Sequence, residues 1–207
     1  FVDEVLFRHG EEGQILQNIG GIANATVLPP RGLRQEIIAY DTGPGNMVMD
    51  MLVQLYTGGQ KYFDEQGQLA ASGKVNEELL QLYLKDSYYN RKPPKSTGRE
   101  IYTKAFTQQF LDHGLQRMLP FEDIMATATA LTSTTIIQSY TDFILPHYEI
   151  SEVIVSGGGT RNNALMDMLR KDLPASIILS KSADHGIPDD AKEAVAFAVL
   201  GHESLMG

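Results

Sequence analysis

The apolar residues of this chain fall in short runs closed by glycine or proline, and their spacing changes from strand-like to helical and back. In "GQILQNIGGIANATVLPP" (13–30), Ile15 and Leu16 lead to the pair Gly20 and Gly21, and an apolar stretch from Ala25 to Leu28 ends at Pro29 and Pro30. That pattern predicts one strand with a central glycine break. A second strand is expected at 36–40, closing on "DTGPGN", after which Met47, Val48, Met51, Leu52 and Leu55 recur at helical spacing. A polar loop region covers 58–74, and Asn76 caps a helix carrying Leu79, Leu80, Tyr83 and Leu84. The stretch 88–102 is irregular, and a helical run follows from Phe106, Phe110 and Leu111. A long helix spans 126–145, with Leu131, Thr135, Tyr140 and Ile144 facing inward, and Pro146 stops it. The remainder alternates: a strand at 153–155, a glycine triplet, a helix at 162–173, a strand at 177–179 and a helix at 190–202 with Ala191, Ala194, Val195, Ala198 and Val199 on one face. Strands alternating with helices imply an α/β layer fold, a mixed sheet flanked by helices.

Composition narrows the function classes. With 207 residues and 43% hydrophobic content the chain can bury a normal core. No apolar run approaches the roughly 20 residues a bilayer span needs. There is no cysteine, which removes disulfides and thiolate metal sites, and the five histidines show no ligand-like spacing. A cytoplasmic location is the expectation that fits. A net charge of −9 argues against general affinity for nucleic acid or an anionic membrane. Any anion must then be held locally. Because the chain opens on Phe1 without a methionine or leader, it is expected to be part of a longer protein.

Local chemistry is concentrated at five places. In "VSGGGTRNNAL", three glycines after a strand let the backbone turn sharply and let amides approach a ligand, and the helix that follows offers unsatisfied N–H groups to a phosphate or a polar ring edge. A plain tight turn is the competing reading. Gly20 and Gly21, flanked by Asn18 and Asn24, mark either a bulge or the close approach of another group. Asp41, at the end of a strand beside a glycine turn, can orient a metal-bound water or a hydroxyl, or simply shape the turn. "RKPPKSTGRE" gathers Arg91, Lys92, Lys95 and Arg99 around Ser96, Thr97 and Gly98, suited to a phosphate or carboxylate or to a solvated loop. Glu193, three residues after Asp190, fits a capping box or a ligand contact.

In this order the motifs resemble the anhydro-N-acetylmuramic acid kinase family. The matching stretches are "QNIGGIANATVL" (17–28), "YDTGPGNMVMD" (40–50), "AASGKVNEELL" (70–80), "PKSTGRE" (94–100), "VSGGGTRNNALM" (155–166) and "KEAVAFAVLGH" (192–202). The resemblance implies a sugar kinase of the actin, Hsp70 and hexokinase superfamily, made of two ribonuclease-H-like lobes with ATP and Mg2+ in the cleft. Such enzymes open the 1,6-anhydro ring of anhydro-N-acetylmuramic acid with water and phosphorylate O6, giving N-acetylmuramic acid 6-phosphate in peptidoglycan recycling. Residues 1–207 then correspond to the C-terminal lobe. Gly157, Gly158, Gly159 and Asn162 resemble the adenosine-side turn, and Gly20 and Gly21 the second phosphate-facing strand, with Asn18 where many superfamily members begin with aspartate. Glu193 and the Lys95, Ser96, Thr97 loop resemble the sugar contacts, and Asp41 an indirect part of the metal environment.

The family's first phosphate hairpin and the aspartate expected to act as general base, upstream of Phe1, have no counterpart here. No catalytic residue is therefore assigned within the chain, which alone is expected to be an inactive half of the kinase. Its expected partners are ATP, an amino sugar, the N-terminal lobe and a second copy in a homodimer. A non-catalytic actin-like regulatory or sugar-binding protein, and a kinase for another sugar, remain open alternatives.

Overall fold

The computed structural model describes residues 12–30 and 36–188. Five strands form one mixed sheet: β1 (Gly13–Ile19), β2 (Ile22–Leu28), β3 (Ile38–Pro44), β4 (Ile150–Ser156) and β5 (Ile178–Lys181), in the order β3-β2-β1-β4-β5. The first three run antiparallel in sequence, whereas β4 and β5 join parallel on the other side of β1. The glycine-broken strand expected over 13–28 is instead a hairpin, with Asn18 paired to Asn24 and Ile19 to Ala23 around Gly20 and Gly21. Two glycines together supply a reversal rather than a weak spot, because neither brings a Cβ that would hinder the turn.

The helices are α1 (Met47–Tyr56), α2 (Gln68–Ser72), α3 (Glu77–Leu84), α4 (Lys104–Gln116), α5 (Phe121–Ser139) and α6 (Asn163–Asp172). The polar loop expected over 58–74 thus carries a short helical turn at Glu65–Gly67 and the whole of α2. Asn76 does cap α3, its Oδ1 accepting from the Leu79 amide at 2.9 Å. The long helix begins five residues before the expected start, at Phe121 behind Pro120, and runs on as a π-helical turn over Tyr140–Ile144. Glu122 and Asp123 in its first turn suit the positive helix end. The helix expected at 190–202, with Glu193, lies outside the described residues.

One sheet face carries the main core. Ile15, Ile19, Ala25, Val27, Val153 and Val155 pack there with Leu52, Ile124, Leu131 and Leu165 from the helices. The opposite face carries a smaller cluster of Leu16, Leu28 and Ile154 with Ile187 against it. Helix α5 is buried on nearly all sides. Its threonines remain compatible with that burial because Thr127 and Thr129 return their hydroxyls to the carbonyls of Asp123 and Met125. The π turn places Tyr140 under β1, where its hydroxyl donates to the buried Gln17 Oε1 at 2.7 Å while Gln17 Nε2 donates to the Asn24 carbonyl at 2.9 Å. This network fastens the hairpin to α5.

Candidate functional site

The carboxyl ends of β1, β3 and β4 converge on one edge of the sheet, and two glycine turns meet there. At the first, the N–H of Gly45 donates to the Gly21 carbonyl at 2.9 Å and that of Asn46 to the Gly20 carbonyl at 2.7 Å. The hairpin tip and the entry of α1 are thereby locked backbone to backbone. A Cβ at Gly45 would run into the Gly20 carbonyl oxygen, so only glycine permits the approach. From behind, the Thr132 hydroxyl donates to the Gly45 carbonyl at 3.1 Å, bringing α5 into the same assembly. Asp41 lies one pair further back, inside β3 rather than at its end, since the strand extends to Pro44.

The glycines of the second turn have distinct duties. Gly157 sits at φ +87°, and a Cβ there would lie 2.7 Å from both Asn18 Oδ1 and the Ile19 carbonyl oxygen. Gly159 presses on the core, where a Cβ would lie 2.6 Å from Ile19 Cβ. Gly158 is different: its Cβ position is bounded only by Asn46 Nδ2 at 3.4 Å, and it faces an open pocket. Two glycines of the triplet thus let the turn pack against β1, and the third presents bare backbone outward. Asn162 then starts α6, its Oδ1 accepting from the Leu165 amide at 3.0 Å.

The pocket has a volume of about 200 Å³. Asn46, Met49 and Asp50 form one wall from a single face of α1, Gly158, Arg161 and Asn162 form the other, and Phe63, Asp64 and Gln66 close the rim. Most polar groups here are already engaged: Asp64 accepts from the Leu69 and Ala70 amides at 2.9 and 3.0 Å, and Asn46 Nδ2 donates to the Ile19 carbonyl at 3.4 Å. Asp50 stands apart, and burial pushes its carboxyl up to about 6. Gln66 holds a left-handed φ of 55°, uncommon outside glycine and asparagine and here part of the pocket rim. A nucleoside needs this combination of an apolar ring, a floor such as Met49, and a few polar edges.

The basic loop reaches β3 rather than this pocket. The Thr97 amide donates to Asp41 Oδ2 at 2.9 Å, and the Asp41 amide donates to the Lys95 carbonyl at 3.2 Å. Lys95 was expected to reach the sugar, but its side chain points inward. Its Nζ donates to the Tyr88 and Tyr89 carbonyls at 3.3 and 3.0 Å and lies 4.9 Å from the ring centres of Tyr88 and Phe143. Burial lowers its ammonium to about 8. The aromatic cage makes Lys95 the anchor of the loop, which leaves Ser96 exposed beside a half-buried Thr97. Gly20, Gly21, Gly157, Gly158, Gly159 and Asn162 therefore gather at one edge, Asp41 and the Ser96–Thr97 pair form a second locus, and Glu193 is outside the described residues.

Sequence reasoning missed Asn46, Asp50, Phe63 and Gln66. The i, i+4 spacing of Asn46 and Asp50 on the helix after "DTGPG" was the available signal. Nothing in "KYFDEQG" announced that the segment folds back over the pocket. Among the described residues, no three His, Asp or Glu side chains converge as a metal cage, and no helix is long and apolar enough to cross a membrane.

A 3-2-1-4-5 sheet with one antiparallel side, helices against it and glycine turns at its carboxyl edge is the ribonuclease-H-like fold of the actin-like ATPases. Two solved structures share this fold. The activator of the 2-hydroxyisocaproyl-CoA dehydratase from Clostridium difficile, with bound ADPNP, aligns over 94% of this chain and 60% of its own, with a TM-score of 0.53 and 12% identity. Component A of the (R)-2-hydroxyglutaryl-CoA dehydratase of Acidaminococcus fermentans aligns over 94% and 62%, with a TM-score of 0.54 and 11% identity. The family model for anhydro-N-acetylmuramic acid kinase matches residues 1–207, and the chain belongs to that family. The anhydro-N-acetylmuramic acid kinase of Caldanaerobacter subterraneus subsp. tengcongensis is 44% identical over 207 residues, all of this chain and 52% of that protein. That of Bacillus cereus strain ATCC 10987 is 41% identical over 203 residues, 97% of this chain and 51% of that protein. The chain spans about half the length of these relatives.

Proposed function

We propose that this chain is the C-terminal lobe of a two-lobe kinase that uses ATP and water to convert 1,6-anhydro-N-acetylmuramic acid to N-acetylmuramic acid 6-phosphate. The observation that carries the proposal is the Gly157–Gly159 turn opening one pocket, with the Gly20–Gly21 tip bonded to the pocket residue Asn46, in a chain of this family. The Gly20–Gly21 tip offers bare backbone to the phosphates, and the Gly158 turn with the pocket beyond it takes the nucleoside. That a structure of the same fold was solved with ADPNP is consistent with a nucleotide at this edge. In the reaction, water adds at the anomeric carbon as its bond to O6 breaks, and O6 accepts the γ-phosphoryl group while ADP leaves.

Catalysis of this kind depends on positioning and charge neutralisation more than on covalent steps. The other lobe supplies the general base and the first phosphate hairpin, so this lobe holds the nucleotide and one side of the sugar. Ser96, exposed on the loop that Asp41 and Lys95 hold in place, offers its hydroxyl to the sugar; Thr97 Oγ1 is buried, so Thr97 serves through its amide bond to Asp41, and Glu193 is a further sugar contact in this reading. Mg2+ carried in on the phosphates would neutralise their charge, and Asp41 would be an indirect part of its surroundings. Purified full-length protein should transfer phosphate from ATP to anhydro-N-acetylmuramic acid but not to glucose or glycerol. Turnover only with the latter two would defeat the substrate assignment, and no turnover with any of them would favour a non-catalytic sugar-binding protein. Gly158→Val should weaken nucleotide binding by at least tenfold, roughly the loss of 1.4 kcal/mol, with little change in fold stability.

A further inference from the structure

We infer that Asp50 reads the ribose of the bound nucleotide, accepting hydrogen bonds from its vicinal hydroxyls and so selecting ribonucleotides over deoxyribonucleotides. The inference rests on the nucleotide assignment above and adds to it a residue and a specificity.

Depth along the pocket places Asp50 at the sugar. Asn46 is joined to the hairpin tip through its amide bond to the Gly20 carbonyl, so it marks the side of the pocket nearest the phosphates. Asp50 lies four residues along α1 on the same wall, about 6 Å from Asn46 along the helix axis at 1.5 Å per residue. One ribose ring fills that distance. Beyond it, Met49 and the exposed ring of Phe63 offer the apolar surface a base requires.

The chemistry agrees with the position. Two neighbouring hydroxyls present two O–H donors, and an ionised carboxylate presents two acceptor oxygens, the same match by which an acidic residue holds a ribose in dinucleotide-binding folds. The other acid in the pocket, Asp64, cannot serve because both its oxygens cap α2. Asp50 is left partly desolvated on the pocket wall, which raises its carboxyl to about 6. A half-buried carboxylate is costly to hold ionised unless donors arrive, and a ligand diol would supply them. The charged groups facing it across the pocket are Asp64 from the rim and Arg161 from the glycine turn.

Calorimetric titration of full-length protein with ADP, 2′-deoxy-ADP and 3′-deoxy-ADP tests this. The wild type should bind ADP about tenfold more tightly than either deoxy analogue, the worth of one charge-assisted hydrogen bond. Asp50→Ala should weaken each deoxy analogue, which keeps one of the two bonds, by about tenfold and ADP by about a further tenfold, with Asp50→Asn shifting all three in the same direction, so that the preference collapses. In the wild type the ADP to 2′-deoxy-ADP affinity ratio should also fall toward one as pH drops from about 7 to about 5, because the protonated acid loses acceptor strength. Equal wild-type affinity for the three ligands overturns the inference, as does a preference that survives both substitutions or an equal loss of all three ligands in both variants. Failure of the wild type to bind any of them overturns the nucleotide assignment itself, and this inference with it.

Discussion

Gly158 and Gly159 are adjacent in sequence and opposite in duty, and alanine at each position should separate folding from binding. At Gly159 the added Cβ would sit 2.6 Å from Ile19 Cβ, and Ile19 has no exposed surface into which it could move. Both contact partners belong to rigid main chain or a β-branched side chain, so relief requires shifting β1 or the turn. Forced overpacking of this kind costs about 1–3 kcal/mol. At Gly158 the new methyl meets only Asn46 Nδ2 at 3.4 Å, an ordinary contact, and the backbone is not in the left-handed region. Gly→Ala there changes stability by less than about 1 kcal/mol, and the smaller entropy of the unfolded chain favours the alanine. The same methyl projects into the pocket proposed to hold the nucleotide. Urea denaturation and ADP titration of both variants in full-length protein should therefore show Gly159→Ala with a clearly lowered midpoint, and Gly158→Ala with an unchanged midpoint but weakened ADP binding. Equal destabilisation of the two variants, or full ADP affinity in Gly158→Ala, would refute the division of labour within the triplet.

Other expectations follow from the buried polar groups. The Lys95 ammonium is held near 8 in the fold against 10.5 when unfolded, so the folded state penalises its charge; stability should rise between about pH 8 and pH 10 by on the order of 2–3 kcal/mol. Denaturation at several pH values should show that rise in the wild type and its loss in Lys95→Met, and an equal slope in both would place the charge in solvent. Tyr140→Phe should cost about 1–3 kcal/mol by stranding the Gln17 Oε1 in the core, whereas a neutral result would mean that water replaces the hydroxyl. For Glu193→Gln, a raised sugar KM or a lowered kcat with an unchanged Tm is expected; normal kinetics with a large drop in Tm would make Glu193 a helix cap.

Much of the fold was legible because its elements carry strong local signals. The helical spacing after "DTGPG", the Asn76 cap and the strand before the glycine triplet all reappear within a few residues. What failed was reading two-residue reversals and buried short elements. Gly20–Gly21 fits both a broken strand and a hairpin, and only the pairing of Asn18 with Asn24 decides between them. The start of α5 was hidden because the helix is buried on nearly every side, with threonine and serine among its buried positions, and so has little apolar periodicity to read. At the site, glycines were visible as glycines, but their division into two packing positions and one pocket-facing position depends on Ile19 and Asn46, which are distant in sequence. Lys95 looked like a ligand contact because it sits in a basic loop; the rings of Tyr40, Tyr88 and Phe143 that enclose it come from three separate segments. Composition cannot report which way a lysine turns.

The central claim is that the two glycine turns form the nucleotide site, and a crystal structure of the full-length protein with a non-hydrolysable ATP analogue tests it most directly. The account predicts phosphates against the Gly20–Gly21 tip, the nucleoside against Gly158, and the ribose at Asp50. A nucleotide bound elsewhere, with solvent or side chains filling both turns, would contradict it.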